Sequence, residues 1–272
     1  MTIKSRNRVS FIFFIASTVI FILYAIVTLY QLFTNNISLP NVNLKGVPTN
    51  FMQKYNPYCV FISLFIMLFY VSFTSFEVFR SFEKSQATDM LFFLLFLLAC
   101  LCDTSRLLIP LLHLSNTSYS SLIIRIGNIA LLGRILAPLA LFGTTVLSTE
   151  GFKQHTDNNC LIILIGAMFF AVIIPLNTGY IRPNYSISYG YLQLIRSLSV
   201  ITCLVSIATL VITTIRNEYK PYMVIGFSLI CMGYSIMFDS YCLLATTTGP
   251  LILGFGTFIY LAEVHKHYLW ID

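Results

Sequence analysis

The segment LACLCDTSRLLIPLL, residues 98–112, sets Asp103 and Arg106 three positions apart in an otherwise apolar run. On a helix that spacing puts a carboxylate and a guanidinium on one face. Four more charges interrupt apolar stretches: Arg125, Arg134, Arg196 and Asp239, with Glu77 and Glu263 nearer the ends of theirs. A charge at a bilayer centre costs about 2.5–3.5 kcal/mol on insertion scales, so such residues usually face a partner or a water-filled cavity. Arginine stays charged and grips carboxylates and phosphates through paired donors. Four arginines against two aspartates leave a positive excess, which suits an anion, either a small solute or a lipid headgroup.

On this reading Arg106, Arg134 and Arg196 line an outward-facing polar cavity with Gln193, Tyr234 and Asp239. Gln193 precedes Arg196 by three positions and shares its face. Asn177, Thr178, Tyr180, Tyr241 and His113 are expected at the same depth. Such a protein binds, and by extension transports, an anionic small molecule or lipid.

The same residues also suit a second use. Asp103 forms a structural ion pair with Arg106 in its own helix or with Arg134 on the next span, and Asp239 pairs with Arg196. The charges are then interhelical clamps in a structural, assembly or sensor subunit of a membrane complex. Proton or ion conduction is a third use. Arg125 and Arg134 are nine residues apart, about 180° around a helix. Only one can face a shared centre. Arg134, the deeper, is expected inward, and Arg125 is expected to snorkel to the surface.

Catalytic patterns are sparse. No Walker loop, H-E-x-x-H or G-x-S-x-G occurs. His113 and Asp239 with Ser105 or Ser240 are the nearest approach to a hydrolase set. Neither of the last two apolar runs has a central lysine to hold retinal. His265 and His267, beside Glu263 and Trp270, read as an interfacial anchor rather than a metal site. No enzyme activity, cofactor or metal is expected.

The elements that must position these charges follow from composition. The chain has 272 residues, 57% of them hydrophobic and only 10% charged, against about a quarter charged in soluble domains. Its mean hydropathy is +0.84. Such a chain uses lipid as solvent, and runs of about 20 apolar residues mark its spans. These fall near 9–33, 57–80, 90–112, 121–147, 159–180, 191–215, 222–243 and 248–264. The expected fold is an all-α polytopic transmembrane helix bundle, a single membrane domain of eight spans. Seven is the alternative, because the last two are divided only by ATTTGP at 245–250, where Pro250 is expected to break the helix. The first run is too long for a signal-peptide core and no cleavage site follows it.

Helix rise places Asp103 about 14 Å and Arg106 about 9 Å below the outer end of the third span. Arg134 sits near mid-span, Arg125, Arg196 and Asp239 lie between the midplane and the outer surface, and Glu77 and Glu263 lie nearer the inner ends of their spans. With the N-terminus inside, inner segments hold nine Lys and Arg, from Lys4 to Lys266, with Lys84, Lys153 and Lys220 in loops. The outer loops hold Lys45, Lys54 and Arg182. That asymmetry puts both termini in the cytoplasm. The three N-x-S/T acceptors, Asn36, Asn116 and Asn184, all fall in outer loops. They are compatible with a plasma or other secretory-pathway membrane, and a bacterial inner membrane fits equally. The expected partners are lipids, an anionic ligand and a membrane protein; the net charge of +6 reports topology and not nucleic acid.

Small residues mark close helix approaches. Gly127, Ala130, Gly133 and Ala137 are candidates in the fourth span, and Gly249, Gly254 and Gly256 in the eighth. Pro110, Pro138 and Pro175 either break helices around a site or are the prolines that membrane helices tolerate. The seven cysteines lie in or beside apolar runs and read as small buried apolar residues.

Overall fold

Helix α1 covers Ile3–Phe33, α2 Pro57–Ser81 and α3 Asp89–Asp103. A 3₁₀ turn at Thr104–Leu107 then leads into the short α4, Leu108–Leu111. Helix α5, Ser121–Phe142, ends in a π-helical turn, Gly143–Leu147. After α6, Thr156–Ile173, come strands β1, Leu176–Ile181, and β2, Ile187–Tyr189. Helices α7, Leu192–Ile215, α8, Pro221–Phe238, and α9, Leu243–Leu269, complete the chain. The structure is a computed structural model that describes residues 3–34, 54–82, 89–114, 121–147, 156–216 and 221–269. Asn36, Asn116, Lys45, Lys84, Lys153, Lys220 and Trp270 lie outside the described residues, as do the side chains of Lys4 and His267.

Among the described residues the fold is all-α apart from one small hairpin, and eight helical segments are long and apolar enough to cross a membrane, with α3, the 3₁₀ turn and α4 forming one of them, Asp89–Leu111. Helices α3 and α5 are the most enclosed. Their close approach has a local cause. A Cβ on Gly133 would stand 2.5 Å from the Ala99 carbonyl oxygen and 2.8 Å from the Asp103 backbone nitrogen. Only the missing side chain lets α5 lie against α3, which brings Arg134 beside Asp103. Gly133→Ala is therefore expected to cost about 1–3 kcal/mol through forced backbone shifts, read as a lower midpoint in a thermal melt in detergent.

The α8–α9 pair uses the same device. Gly226 faces the backbone of Gly256 and Tyr260, and Gly233 faces that of Leu253. Gly254 meets nothing within 4 Å, contrary to expectation. Helix α1 lies at the periphery against α2, through Phe11–Phe79, Phe14–Phe76 and Phe21–Phe69 ring contacts and a 3.1 Å Ser17–Ser75 hydroxyl bond. Helices α6 and α7 both pack chiefly on α5 rather than on each other. Four cysteines, Cys59, Cys100, Cys231 and Cys242, are buried, and the other three are half-buried.

Two boundaries differ from the sequence reading. The fifth span, expected to run to residue 180, ends at Ile173. Pro175 has no N–H to continue the helix and disfavours helical geometry at Ile174. Asn177, Thr178 and Tyr180 consequently sit in a strand, not a helix. The last break lies at 239–242 and not at 245–250, so Pro250 is inside α9. Membrane helices absorb a proline when nearby groups satisfy the backbone. The hydroxyls of Thr246, Thr247 and Thr248 fold back onto carbonyls four residues earlier, at 2.8–3.1 Å. Residues 239–242 are instead drawn out of helix by outside partners. Ser240 donates to Ser63 Oγ at 2.6 Å, Asn56 N donates to the Tyr241 carbonyl at 3.0 Å, and Tyr55 bridges to Cys242.

The β-hairpin seals one end of the bundle. β1 and β2 pair antiparallel, Leu176 opposite Tyr189 and Ile181 opposite Ile187, with an irregularity between. The Arg182 carbonyl accepts from Tyr185 N at 3.0 Å, and Arg182 N donates to the Ser186 carbonyl at 2.8 Å, closing the turn around Pro183 and Asn184. Pro at the second position and Asn at the third suit a type I turn. Tyr185 then takes a left-handed φ of 59°, a conformation that costs a non-glycine residue about 1–2 kcal/mol. It is held there by full burial and by a 2.7 Å bond from its hydroxyl to the Pro57 carbonyl. Burial also pushes the Tyr185 phenol well above its ordinary pKa, so it remains a donor.

Candidate functional site

Asp103 is the last residue of α3, 1% exposed, and its carboxylate holds two guanidinium groups. Arg106 reaches back to Oδ2 from one turn later, where the 3₁₀ geometry tucks it under the helix end. Arg134 reaches Oδ1 from α5 through Nε at 3.3 Å. Arg106 and Arg134, expected as alternative partners of Asp103, both contact it and form a single triad. One buried negative charge serves two buried positive ones, and the triad keeps a net positive charge in a low-dielectric setting.

The two arginines differ in what else they touch. Arg106 donates from Nε to the Asp103 carbonyl at 3.1 Å and from Nη1 to the Asn184 carbonyl at 2.9 Å, so each of its nitrogens is used. Arg134 donates from Nη1 to the Tyr189 hydroxyl at 3.3 Å, and its guanidinium lies 4.1 Å from the Phe238 ring centre. Its Nη2 is buried and has no hydrogen-bond partner among the described residues. A buried donor left unmade typically costs about 1–3 kcal/mol, more when charged.

Arg134 opens onto a cavity of about 160 Å³ walled by α5, α7, α8 and the hairpin. Arg182 and Arg196 also line it, with Tyr189, Tyr234 and Asp239. Two more buried polar atoms without partners among the described residues belong to these walls, Arg182 Nη1 and Tyr234 Oη. The three residues that carry these atoms thus line one small space. Arg196 and Asp239 pair at 2.9 Å, with side chains 70% and 28% exposed. A pair that open contributes little by itself.

Of the residues expected to bind, Arg134, Arg196, Tyr234 and Asp239 line this cavity. Arg106 does not; it lies behind Arg134 in the triad. Gln193 is exposed on α7, away from the lining, and Tyr241 is also outside it. His113 has a left-handed φ of 54° and does not line the cavity either. Arg125 lies on the exposed side of α5, opposite the buried Arg134. At the opposite end of the bundle Glu263 pairs with Lys266 at 2.8 Å, and Glu77 and His265 line an apolar groove between α2 and α9.

The hairpin supplies what the sequence reading lacks. Arg182, expected only as a loop charge, lines the cavity, and Tyr189 orients Arg134. Asn184, expected as a glycan acceptor, is 5% exposed. Its amide nitrogen donates to the Phe238 carbonyl at 3.3 Å and to Asp239 Oδ1 at 3.4 Å, while its amide oxygen accepts from Ser186 N and Oγ. The folded protein presents no free Asn184 side chain for modification. That residue instead ties the hairpin to Arg106 and to the end of α8. The signal for the hairpin is the spacing of Pro175, Pro183 and Gly190 around the alternating SISY.

Eight apolar helices around this buried charge cluster are consistent with the class of polytopic membrane proteins. A scan against protein-family models matched none, and searches of curated proteins and of solved structures returned no match.

Proposed function

We propose that this protein is a polytopic membrane protein that binds an anionic ligand in the arginine-walled cavity, with transport of that ligand as the natural extension. The carrying observation is that Arg134, Arg182 and Tyr234, each with a buried polar atom that has no hydrogen-bond partner among the described residues, line a single cavity. An interhelical clamp alone accounts for Arg106, each of whose three guanidinium nitrogens has a partner. It does not account for Arg134 Nη2 or Arg182 Nη1. A bound carboxylate or phosphate supplies the acceptors, and a guanidinium presents a rigid fork suited to either.

In the proposed orientation both termini are cytoplasmic and the hairpin end faces outward, following the Lys and Arg asymmetry. A cysteine placed at the C-terminus is then expected to react only after the membrane is opened; labelling in sealed cells overturns the orientation.

Binding is tested by native mass spectrometry of the full chain, purified in neutral detergent and titrated with inorganic phosphate and with anionic and zwitterionic lipids. An anion that raises the melting midpoint, and whose affinity falls about tenfold or more in Arg182→Gln, supports the reading; a hydrogen bond to a charged group is worth about 1.5–3 kcal/mol. Equal response to anionic and zwitterionic additives, unchanged in Arg182→Gln, overturns it and leaves a structural subunit whose charges are clamps.

A further inference from the structure

The arginine-walled cavity is not isolated. A second cavity of about 430 Å³ lies between α5, α6 and α7, and its walls are almost wholly apolar. Arg134, Ile195 and Ser199 line both spaces. Resting on the anion-binding function, we propose that the ligand is an amphiphile with one alkyl chain, its anionic headgroup in the arginine-walled cavity and its chain in this slot, entering sideways from the bilayer between α6 and α7.

Three observations support it. The slot exists because α6 and α7 each pack chiefly on α5, leaving a lateral opening floored by α5 at Pro138 and Leu139. Pro138 cannot donate to the carbonyl of Arg134, so the floor of the slot lacks the ordinary helical bond at that turn. The slot's rim residues Phe170, Leu194 and Leu198 are exposed on apolar helix surfaces, so an alkyl chain reaches it without crossing water. Second, the volume falls in the ~300–1,000 Å³ range of small-molecule sites, whereas 160 Å³ of polar cavity holds a headgroup and no more. Third, the only charge on the slot's wall among the described residues is Arg134, the residue whose free Nη2 fixes the sign of the headgroup. A neutral lipid chain would fill the slot but leave that donor unmade; a small hydrophilic anion would satisfy the donor but leave the slot to bulk lipid. One amphiphile does both.

The test uses the full chain in phosphatidylcholine nanodiscs, with inorganic phosphate and ethyl, octyl and dodecyl phosphate as ligands and dodecanol as the uncharged control. The variant is Thr202→Trp, because Thr202 lines the slot and not the arginine-walled cavity. In the wild-type protein, affinity is expected to rise at least tenfold from ethyl to dodecyl phosphate, with dodecanol giving no saturable binding. In Thr202→Trp the rise is lost while ethyl phosphate binds as before, which also shows that the variant is folded. Equal affinity along the series overturns the amphiphile and leaves the anion site standing. A rise that persists in Thr202→Trp places the chain in surrounding lipid and overturns the slot. Failure of every phosphate to bind, including inorganic phosphate, overturns the anion reading itself.

Discussion

Asp103→Asn is expected to lower the melting temperature of the detergent-solubilised protein by about ten degrees or more. The substitution keeps the shape of the side chain and removes the one charge shared by Arg106 and Arg134. All three side chains are at most 3% exposed, so water does not replace the lost carboxylate. Breaking a buried pair by removing one partner costs about 3–5 kcal/mol. In a protein of this size about 1 kcal/mol corresponds to 2–4 °C. The loss here falls at the upper end, because two guanidinium groups are orphaned together and lie near each other. The double variant Asp103→Asn with Arg134→Gln should recover part of the loss, since one of the two unpaired charges is gone. Residues in one network couple in this way, and the cycle isolates that term. A wild-type midpoint in Asp103→Asn means that the carboxylate is not holding the arginines in the membrane-embedded protein, and the triad then has no structural role.

The residues of that triad are partly legible in the sequence. A charged residue in an apolar span needs a partner, and helix geometry limits the choices to Arg106 one turn on and Arg134 on the next span. The opposition of Arg125 and Arg134 on α5 follows from 100° per residue alone. Everything that depends on the hairpin is hidden. Its apolar residues continue the hydropathy of α6, so the fifth span reads as longer than it is. Membrane helices are apolar all round, which removes the 3.6-residue pattern that would otherwise mark the end of α6. Arg106 bonds a backbone carbonyl, that of Asn184, 78 residues away, and a carbonyl carries no side-chain signature. Arg182 looks like any loop arginine until the turn at Pro183 and Asn184 folds it over the cavity. The break at 239–242 is hidden for a related reason: its partners, Ser63, Tyr55 and Asn56, belong to α2 and the segment just before it. Local sequence favours Gly249 and Pro250 as the turn, and tertiary contacts override it.

Arg134→Gln is expected to behave in the opposite way to Asp103→Asn. The fold should survive, because Asp103 keeps Arg106 and the remaining pair is neutral. The Phe238 and Tyr189 rings that frame Arg134 lose a cation contact, worth about 0.5–2 kcal/mol, which sets the scale of the expected drop in stability. Ligand binding should be reduced by two orders of magnitude or more, since Arg134 is the one charged group among the described residues common to the arginine-walled cavity and the slot. Arg134→Lys sharpens the contrast. Lysine keeps the charge and satisfies Asp103, but lacks the planar fork that can bond Asp103, Tyr189 and a third acceptor at once. It should fold with near wild-type stability and bind weakly. The measurement is a pair of curves for each variant, thermal melting without ligand and dodecyl phosphate titration in nanodiscs. Should Arg134→Gln bind as the wild type does, the free Nη2 is not a ligand contact. Should Arg134→Gln instead fail to fold while Arg134→Lys is indistinguishable from wild type in both curves, Arg134 acts as a clamp, and the anion must be sought at Arg182 and Arg196.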